Sequence, residues 1–237
     1  MMFRVRRVTT TRAGGVSKPP FATFNLGDHV GDDPAAVAAN RRRLATATGL
    51  GVDGIVWMNQ THSTRVAVVD HGGITVDDTD GVVTTTPSLG LAVVTADCVP
   101  VLMADARRGV IAALHAGRVG AAGGIVPRAV EAMVDAGARV EDLSVLLGPA
   151  VSGLNYEVPA EMADEVERLL PGSRVTTGRG TPGLDLRAGI AAQLRSLGVT
   201  AIDVDPRCTY ADPNLFSHRR GAPTGRLVSL IWFEPQP

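Results

Sequence analysis

Three residues far apart in the chain, His62 in NQTHS, Cys98 in TADCVPVLM and His115 in ALHAGRVG, offer two imidazoles and a thiol, the donor types that hold zinc. The apolar runs Val99 to Ala104 and Val110 to Leu114, joined by the polar DARRG, predict a β-hairpin. Pairing centred on Ala106 and Arg107 sets Cys98 opposite His115, and directly opposed positions bring Cβ atoms to roughly 4.5–5.5 Å. A thiolate and an imidazole that close can share an ion. Three protein donors leave the fourth tetrahedral position open to water or substrate, as a catalytic zinc requires. The same Cys98–His115 pair also suits the nucleophile and base of a cysteine hydrolase.

Other polar positions are less specific. In HAGRVG, Gly117 and Gly120 stand where a strand passes into a helix, and a helix N-terminus there would present free N–H groups to an anion such as phosphate. FSHRRG brings together His218, Arg219 and Arg220, as an anion site or as an exposed basic loop. Asp97 beside Cys98 is a candidate acid or base, or a turn carboxylate bonded to nearby backbone. His29 and His71 lie in polar loops and read as surface residues. Cys208 lacks a partner at metal-ligand spacing and reads as a buried thiol.

The elements that must position these residues follow from periodicity and punctuation. Strands are predicted at 55–58, 65–69, 81–85, 91–95, the hairpin, 143–147, 200–205 and 226–233. Helices are predicted at 34–48, about 121–136, 159–170 and 186–197. The first has Asp33 to cap it, Pro34 in its first turn and Gly49 to stop it; the last lies between Asp185 and Gly198. Strands outnumber helices and hairpins mix with them, which predicts an α+β fold, mixed α/β with sheets covered by helices. No repeat, low-complexity tract or linker divides the chain, so residues 1–237 are expected to form one unit.

Composition narrows the function. The 237 residues are 45% hydrophobic and 20% charged with a formal net charge of -1, which predicts a globular protein with a small-molecule partner and neither nucleic acid nor membrane. No apolar stretch approaches the roughly 20 residues that span a bilayer. The N-terminus lacks the apolar core of a secretion signal, and two cysteines cannot build a disulfide framework, so a cytoplasmic location is expected. Cations are almost all arginine, with Lys18 the one lysine. A run such as Arg41, Arg42 and Arg43 therefore reads as a solvated helix face with one member able to face a cleft.

Taken in order, TTRAGGVSKPPFATFNLG, VAANRRRL, WMNQTHSTRV, DGVVTT, TADCVPVLM, LHAG, LGPAVSGLNYEV, LDLRAGIAAQL and CTYADPNLFSHRR resemble the laccase-domain or YfiH-like family over nearly the whole length. That family is often called polyphenol oxidase and is understood as a set of multifunctional purine nucleoside enzymes. The resemblance implies a mixed α/β fold like the catalytic domain of cytotoxic necrotizing factor, and His62, Cys98 and His115 as zinc ligands. It implies phosphorolysis of adenosine, inosine and methylthioadenosine to free base and ribose 1-phosphate, with adenosine deamination beside it. It matches Asn25 to the Asn of NLG and Arg41 to the Arg after Asn in VxxNR, both near substrate. The family pattern has Trp-Arg after HAG; here Arg118 and Val119 follow, so the arginine stands one residue earlier.

The expected enzyme is therefore a zinc-dependent purine nucleoside phosphorylase and adenosine deaminase, monomer or homodimer. Its catalytic residues are His62, Cys98 and His115, and its substrate residues Asn25, Arg41, Arg118 and Arg219. Copper in the site in vitro would give phenol oxidation only as a side activity. The usual deaminase motifs, H-x-E and PCxxC, are absent. Alternatives are the cysteine hydrolase and a non-catalytic, zinc-stabilised binding module.

Overall fold

The computed structural model describes residues 3–234. In chain order its elements are β1 (Arg4–Thr9), α1 (Pro34–Thr48), β2 (Ile55–Met58), β3 (Val66–Val68), β4 (Thr75–Val76), β5 (Gly81–Thr84), β6 (Gly90–Thr95), β7 (Val99–Asp105) and β8 (Val110–Ala116). There follow α2 (Arg118–Ala122), α3 (Ile125–Asp135), β9 (Ser144–Leu147), α4 (Ala160–Leu169), β10 (Arg174–Thr176), β11 (Pro182–Leu184), α5 (Leu186–Ser196), β12 (Ala201–Val204) and β13 (Leu227–Glu234).

Two mixed sheets carry the fold. One runs β1-β13-β6-β2-β4 and the other β12-β9-β7-β8-β5-β3, with β10 and β11 as a separate ribbon. Alternation along the hairpin decides what each sheet face meets. Leu102, Ala104, Ile111 and Ala113 turn toward the first sheet and pack with Val56, Leu91 and Phe233. Val101, Met103, Ala112 and Leu114 turn the other way, into a core shared with Ile125 and Met133 of α3 and Ile190 and Leu194 of α5. Across the first sheet, Leu44 of α1 packs with Ile55, Trp57 and Leu230. The order of layers is thus helix, sheet, sheet, helices. Both faces of β7 and β8 are covered, which is why their sequences are unbroken apolar runs rather than alternating ones.

Helix punctuation works as the residues predict. The Asp33 carboxylate accepts from Ala35 N and Gly49 closes α1 at φ 73°; the Asp185 carboxylate accepts from Ala188 N at the start of α5. The helix expected over 121–136 begins earlier and is divided, because Gly123 and Gly124 interrupt it and Gly124 takes φ 88°. Strand β1 falls in the basic N-terminal stretch, where its arginines conceal an alternation of exposed and half-buried positions against β13.

The hairpin register also needs correction. The structure pairs Asp105 with Val110 and Pro100 with His115, so Cys98 is not opposite His115. The turn holds four residues rather than two, because the Asp105 carboxylate accepts from Arg107 N and Arg108 N and Gly109 takes φ 68°. The slip is two residues, so no side chain changes face. His115 stays on the face that looks toward the first sheet.

Ile111 is fully buried between the sheets. Ile111→Ala is expected to lower unfolding free energy by about 2–5 kcal/mol in urea titration; a loss below 1 kcal/mol would contradict a close-packed layer there.

Candidate metal centre and substrate cavity

The chain crosses between the two sheets at one end of the layer they share, and two of the three candidate donors sit on those crossings. The segment from β2 to β3 carries His62, the one from β6 to β7 carries Cys98, and His115 is at the end of β8. One donor atom from each can be chosen so that all three lie within 4.8 Å of one another. Among the described residues this is the one such group of His, Cys, Asp and Glu.

Asp80, just before β5, assembles the group. Its Oδ1 is 2.7 Å from His115 Nδ1, which leaves His115 Nε2 to face the other donors. The same carboxylate accepts from His62 N at 3.0 Å, Ser63 N at 2.7 Å, Ser63 Oγ at 2.8 Å and Thr61 N at 3.1 Å. Three successive backbone N–H groups thus wrap around one buried carboxylate, an anion nest for which His62 adopts φ 61°. Gln60 pins the loop from the other side: its amide donates to Val94 O at 2.7 Å and accepts from Val94 N at 2.8 Å.

Charge follows from this arrangement. Burial works against ionisation of Asp80, but hydrogen bonds from His115 and Ser63 outweigh it and hold the carboxyl at about 2. Burial likewise opposes a proton on His115, yet the Cys98 sulfur and Asp80 raise the imidazole to about 9. His62 goes the other way, lowered by burial and by His115, so its ring is neutral and able to donate a lone pair. A carboxylate and a sulfur around one ring make a place for a cation. The donor set, nitrogen, nitrogen and sulfur with a carboxylate behind one histidine, fits zinc.

Space is also reserved. A Cβ built on Gly117 would lie 2.5 Å from His62 Nδ1 and 3.1 Å from Cys98 Sγ, so only glycine fits beside the cluster.

Around the cluster opens a cavity of about 400 Å³, lined also by Gln60, Asp97, Tyr156, Arg118, Arg219 and Arg226, with His29 and His218 at its edge. Arg118 therefore reaches the cavity from the first turn of α2, while Val119 is exposed. Arg219 stacks its guanidinium 4.7 Å from the Tyr156 ring centre and donates to Glu157 O at 2.9 Å. Both Asp97 oxygens are engaged, by Thr209 Oγ1 at 2.6 Å and Arg219 N at 2.7 Å, so Asp97 ties the Cys98 turn to the later loop.

Two expected substrate residues do not line this cavity. Asn25 is fully buried with its amide spent on Gly27 O and Asp32, and its oxygen accepts from Arg226 N. Arg41 lies 3.9 Å over Trp57, bonds Leu26 O at 3.0 Å and pairs with Asp28 at 3.1 Å. Each is committed to protein, and Asn25 acts by placing Arg226. Sequence reasoning missed Asp80, Tyr156 and Arg226 and set His29 aside as surface. Asp80 stands first in the quoted DGVVTT and Tyr156 in LGPAVSGLNYEV, but nothing in spacing marks either as facing a metal. His71 is exposed and paired with Asp70, and Cys208 accepts from Ser152 N far from any metal-ligand partner.

The family described as multi-copper polyphenol oxidoreductase laccase matches residues 6–234. A purine nucleoside phosphorylase of Mycobacterium tuberculosis is 73% identical over 232 residues, covering 98% of this chain and 93% of its own. One of Corynebacterium glutamicum is 55% identical over 231 residues, covering 96% and 94%. The crystal structure of YlmD from Geobacillus stearothermophilus aligns with TM-score 0.92 at 33% identity, over 98% of this chain and 92% of that one. That of the hypothetical protein YfiH from Bacillus licheniformis aligns with TM-score 0.91 at 32% identity, over 97% and 93%.

Two substitutions test the assembly of the centre. Asp80→Asn is expected to weaken zinc binding by about 10–100-fold. Gly117→Ala should weaken it at least as much without lowering secondary-structure content. Chelator competition reads the affinity and circular dichroism the fold; unchanged affinity in both variants would contradict the assembly described.

Proposed function

The chain belongs to the multi-copper polyphenol oxidoreductase laccase family, and we propose that within it this protein is a zinc-dependent purine nucleoside phosphorylase. The reading rests above all on one observation, the convergence of Arg118, Arg219 and Arg226 on the cavity that holds His62, Cys98 and His115. A volume of about 400 Å³ is within the range of small-molecule sites and leaves room for an anion beside a nucleoside. The relatives named purine nucleoside phosphorylase support the same substrate class. Adenosine, inosine and methylthioadenosine are the expected substrates, with phosphate the second.

The chain's own residues bind and orient. Three guanidiniums offer charge-assisted donors to phosphate, each such bond worth about 1.5–3 kcal/mol. Asn25 and Gln60 hold the backbone on which Arg226 and His62 stand. Positive charge around the phosphate keeps it beside C1′ while the glycosidic bond opens toward an oxocarbenium-like state. Zinc bound by His62, Cys98 and His115 would supply a fixed Lewis-acidic charge with one coordination position free of protein.

The same cavity is proposed to take adenosine for deamination, in which water replaces the C6 amine and ammonia leaves. We further read the chain as one catalytic unit, monomer or homodimer, working in the reducing cytoplasm, where Cys98 and Cys208 form no disulfide. No helix of the described residues is long and apolar enough to cross a membrane. Phenol oxidation would require copper, and the single three-donor group among the described residues falls short of a multicopper cluster.

One observation favours a second reading. Asp80, His115 and Cys98 also stand in the order of carboxylate, base and thiol nucleophile of a cysteine hydrolase.

His62 separates the two. Purified protein is expected to carry about one zinc per chain and to release free base and ribose 1-phosphate from inosine only when phosphate is present. His62→Ala should lose both the metal and at least about 10²-fold in kcat/KM. Metal-free protein whose Cys98 alkylates rapidly, with His62→Ala unimpaired as a hydrolase, would establish the thiol reading instead. Arg118→Ala should raise the KM for phosphate about tenfold, the cost of one charged hydrogen bond; an unchanged KM would remove Arg118 from the phosphate site.

A further inference from the structure

A purine leaving C1′ takes the bonding electron pair with it, and the base departs readily only if N7 receives a proton as that pair arrives. General acids of this kind contribute about 10²–10⁴-fold. Most of the cavity's polar side chains are unable to supply that proton. Both Asp97 oxygens already accept hydrogen bonds, and the Gln60 amide is spent on Val94. Arg118, Arg219 and Arg226 donate hydrogen bonds but do not give up a proton near neutral pH. His62 and His115 belong to the metal centre. The Thr95 hydroxyl is too weak an acid to give one up, which leaves Tyr156 and two exposed histidines, His29 and His218.

Tyr156 is the one held in place. Its carbonyl accepts from Leu184 N at 3.1 Å, and the next residue, Glu157, bridges Gly183, so its backbone is tied to β11. Arg219 lies across the ring with its guanidinium 4.7 Å from the centre. The ring is half-buried, yet its hydroxyl bonds to no other described residue. Nor is that oxygen among the buried side-chain atoms left unpaired, which are Arg7 Nε and Gln193 Oε1, so it is accessible, on a side chain that lines the cavity. A phenolic hydroxyl with no protein partner is free to donate to a molecule bound there. Burial raises the phenol above its ordinary value. The side chain of His29, by contrast, is 58% exposed, with its Nδ1 3.6 Å from the Asp28 carboxylate.

We propose that Tyr156 is a catalytic residue, its hydroxyl being the donor that meets N7 of the departing purine. The inference rests on the phosphorolysis reading above. As the C1′–N9 bond breaks, its electron pair passes into the purine and the phenolic proton moves to N7. A phosphate oxygen bonds C1′, and the proton that hydrogenphosphate gives up returns to the tyrosinate. Ribose 1-phosphate and neutral base leave, and Tyr156 is as it began.

The test is Tyr156→Phe, which keeps the ring and its contact with Arg219, assayed on inosine and on 7-methylinosine. The second substrate has a methyl group on N7 and a base that is already cationic, so it needs no donor there. Tyr156→Phe is expected to lose about 10²-fold in kcat on inosine with little change in KM, and to turn over 7-methylinosine at close to the wild-type rate. That retained turnover also reports a folded, metal-loaded enzyme. Equal loss on both substrates would mean that Tyr156 only shapes the cavity, and no loss on inosine would mean that it gives no proton; either result overturns the proposal. A substrate-selective loss in His29→Asn or His218→Asn, with Tyr156→Phe intact, overturns it in favour of that histidine. Wild-type protein that releases base from neither nucleoside fails the phosphorolysis reading itself, a result distinct from all of these.

Discussion

Everything at the functional end of this protein hangs on the buried carboxylate of Asp80. An ionised carboxylate taken out of water costs several kcal/mol unless its lone pairs are met. Here the backbone N–H groups of Thr61, His62 and Ser63, the Ser63 hydroxyl and the His115 ring meet them. Those partners come from two separate parts of the chain. Satisfying one charge therefore fixes the loop that carries His62 and the orientation of His115 together. The same bond settles which nitrogen of His115 faces Cys98, so a demand of solvation also prepares the ligand.

The sandwich explains why such a point exists. Two sheets that share an apolar layer must be joined by segments that leave one and enter the other. At the end where β2 passes to β3 and β6 to β7, those segments cannot continue either ladder. Their backbone polar groups need other partners, and Asp80 meets those of Thr61, His62 and Ser63. Gln60 bonds both polar groups of Val94, and Asp97 joins its own turn to Thr209 and Arg219. The arginines around the cavity arrive the same way, Arg118 from the first turn of α2 and Arg226 from the residue before β13, where Asn25 accepts its N–H. The apolar layer supplies rigidity, and the side chains that close its end supply chemistry.

Much of the scaffold could be read directly. Strands such as Ile55–Met58 and the helix Pro34–Thr48 are marked by local signals, an apolar run between polar breaks or a cap, a proline and a glycine. The separate β10–β11 ribbon and the short β4 lack that signal, because their residues are few and register comes from partners elsewhere. The hairpin register missed by two residues, since Asp105 builds a four-residue turn with its own side chain and apolar strands on either side do not count turn residues. The site divides in the same way. His62, Cys98 and His115 declare themselves by chemical type. Asn25 and Arg41 share the neighbourhood but are spent on internal bonds, which no spacing reveals.

From the sequence by itself came the donor types, the family, the mixed α/β class and most elements, because each depends on residue identity or on periodicity over a few neighbours. Tertiary structure alone decided that three donors separated by long stretches of chain converge within 4.8 Å. It alone decided that Asp80 lies behind them, that Arg118 reaches the cavity from its shifted position, and that the Tyr156 hydroxyl has no partner among the described residues. Those facts depend on where two sheets cross and on which polar groups the crossing leaves unmet, and both are properties of the packed whole.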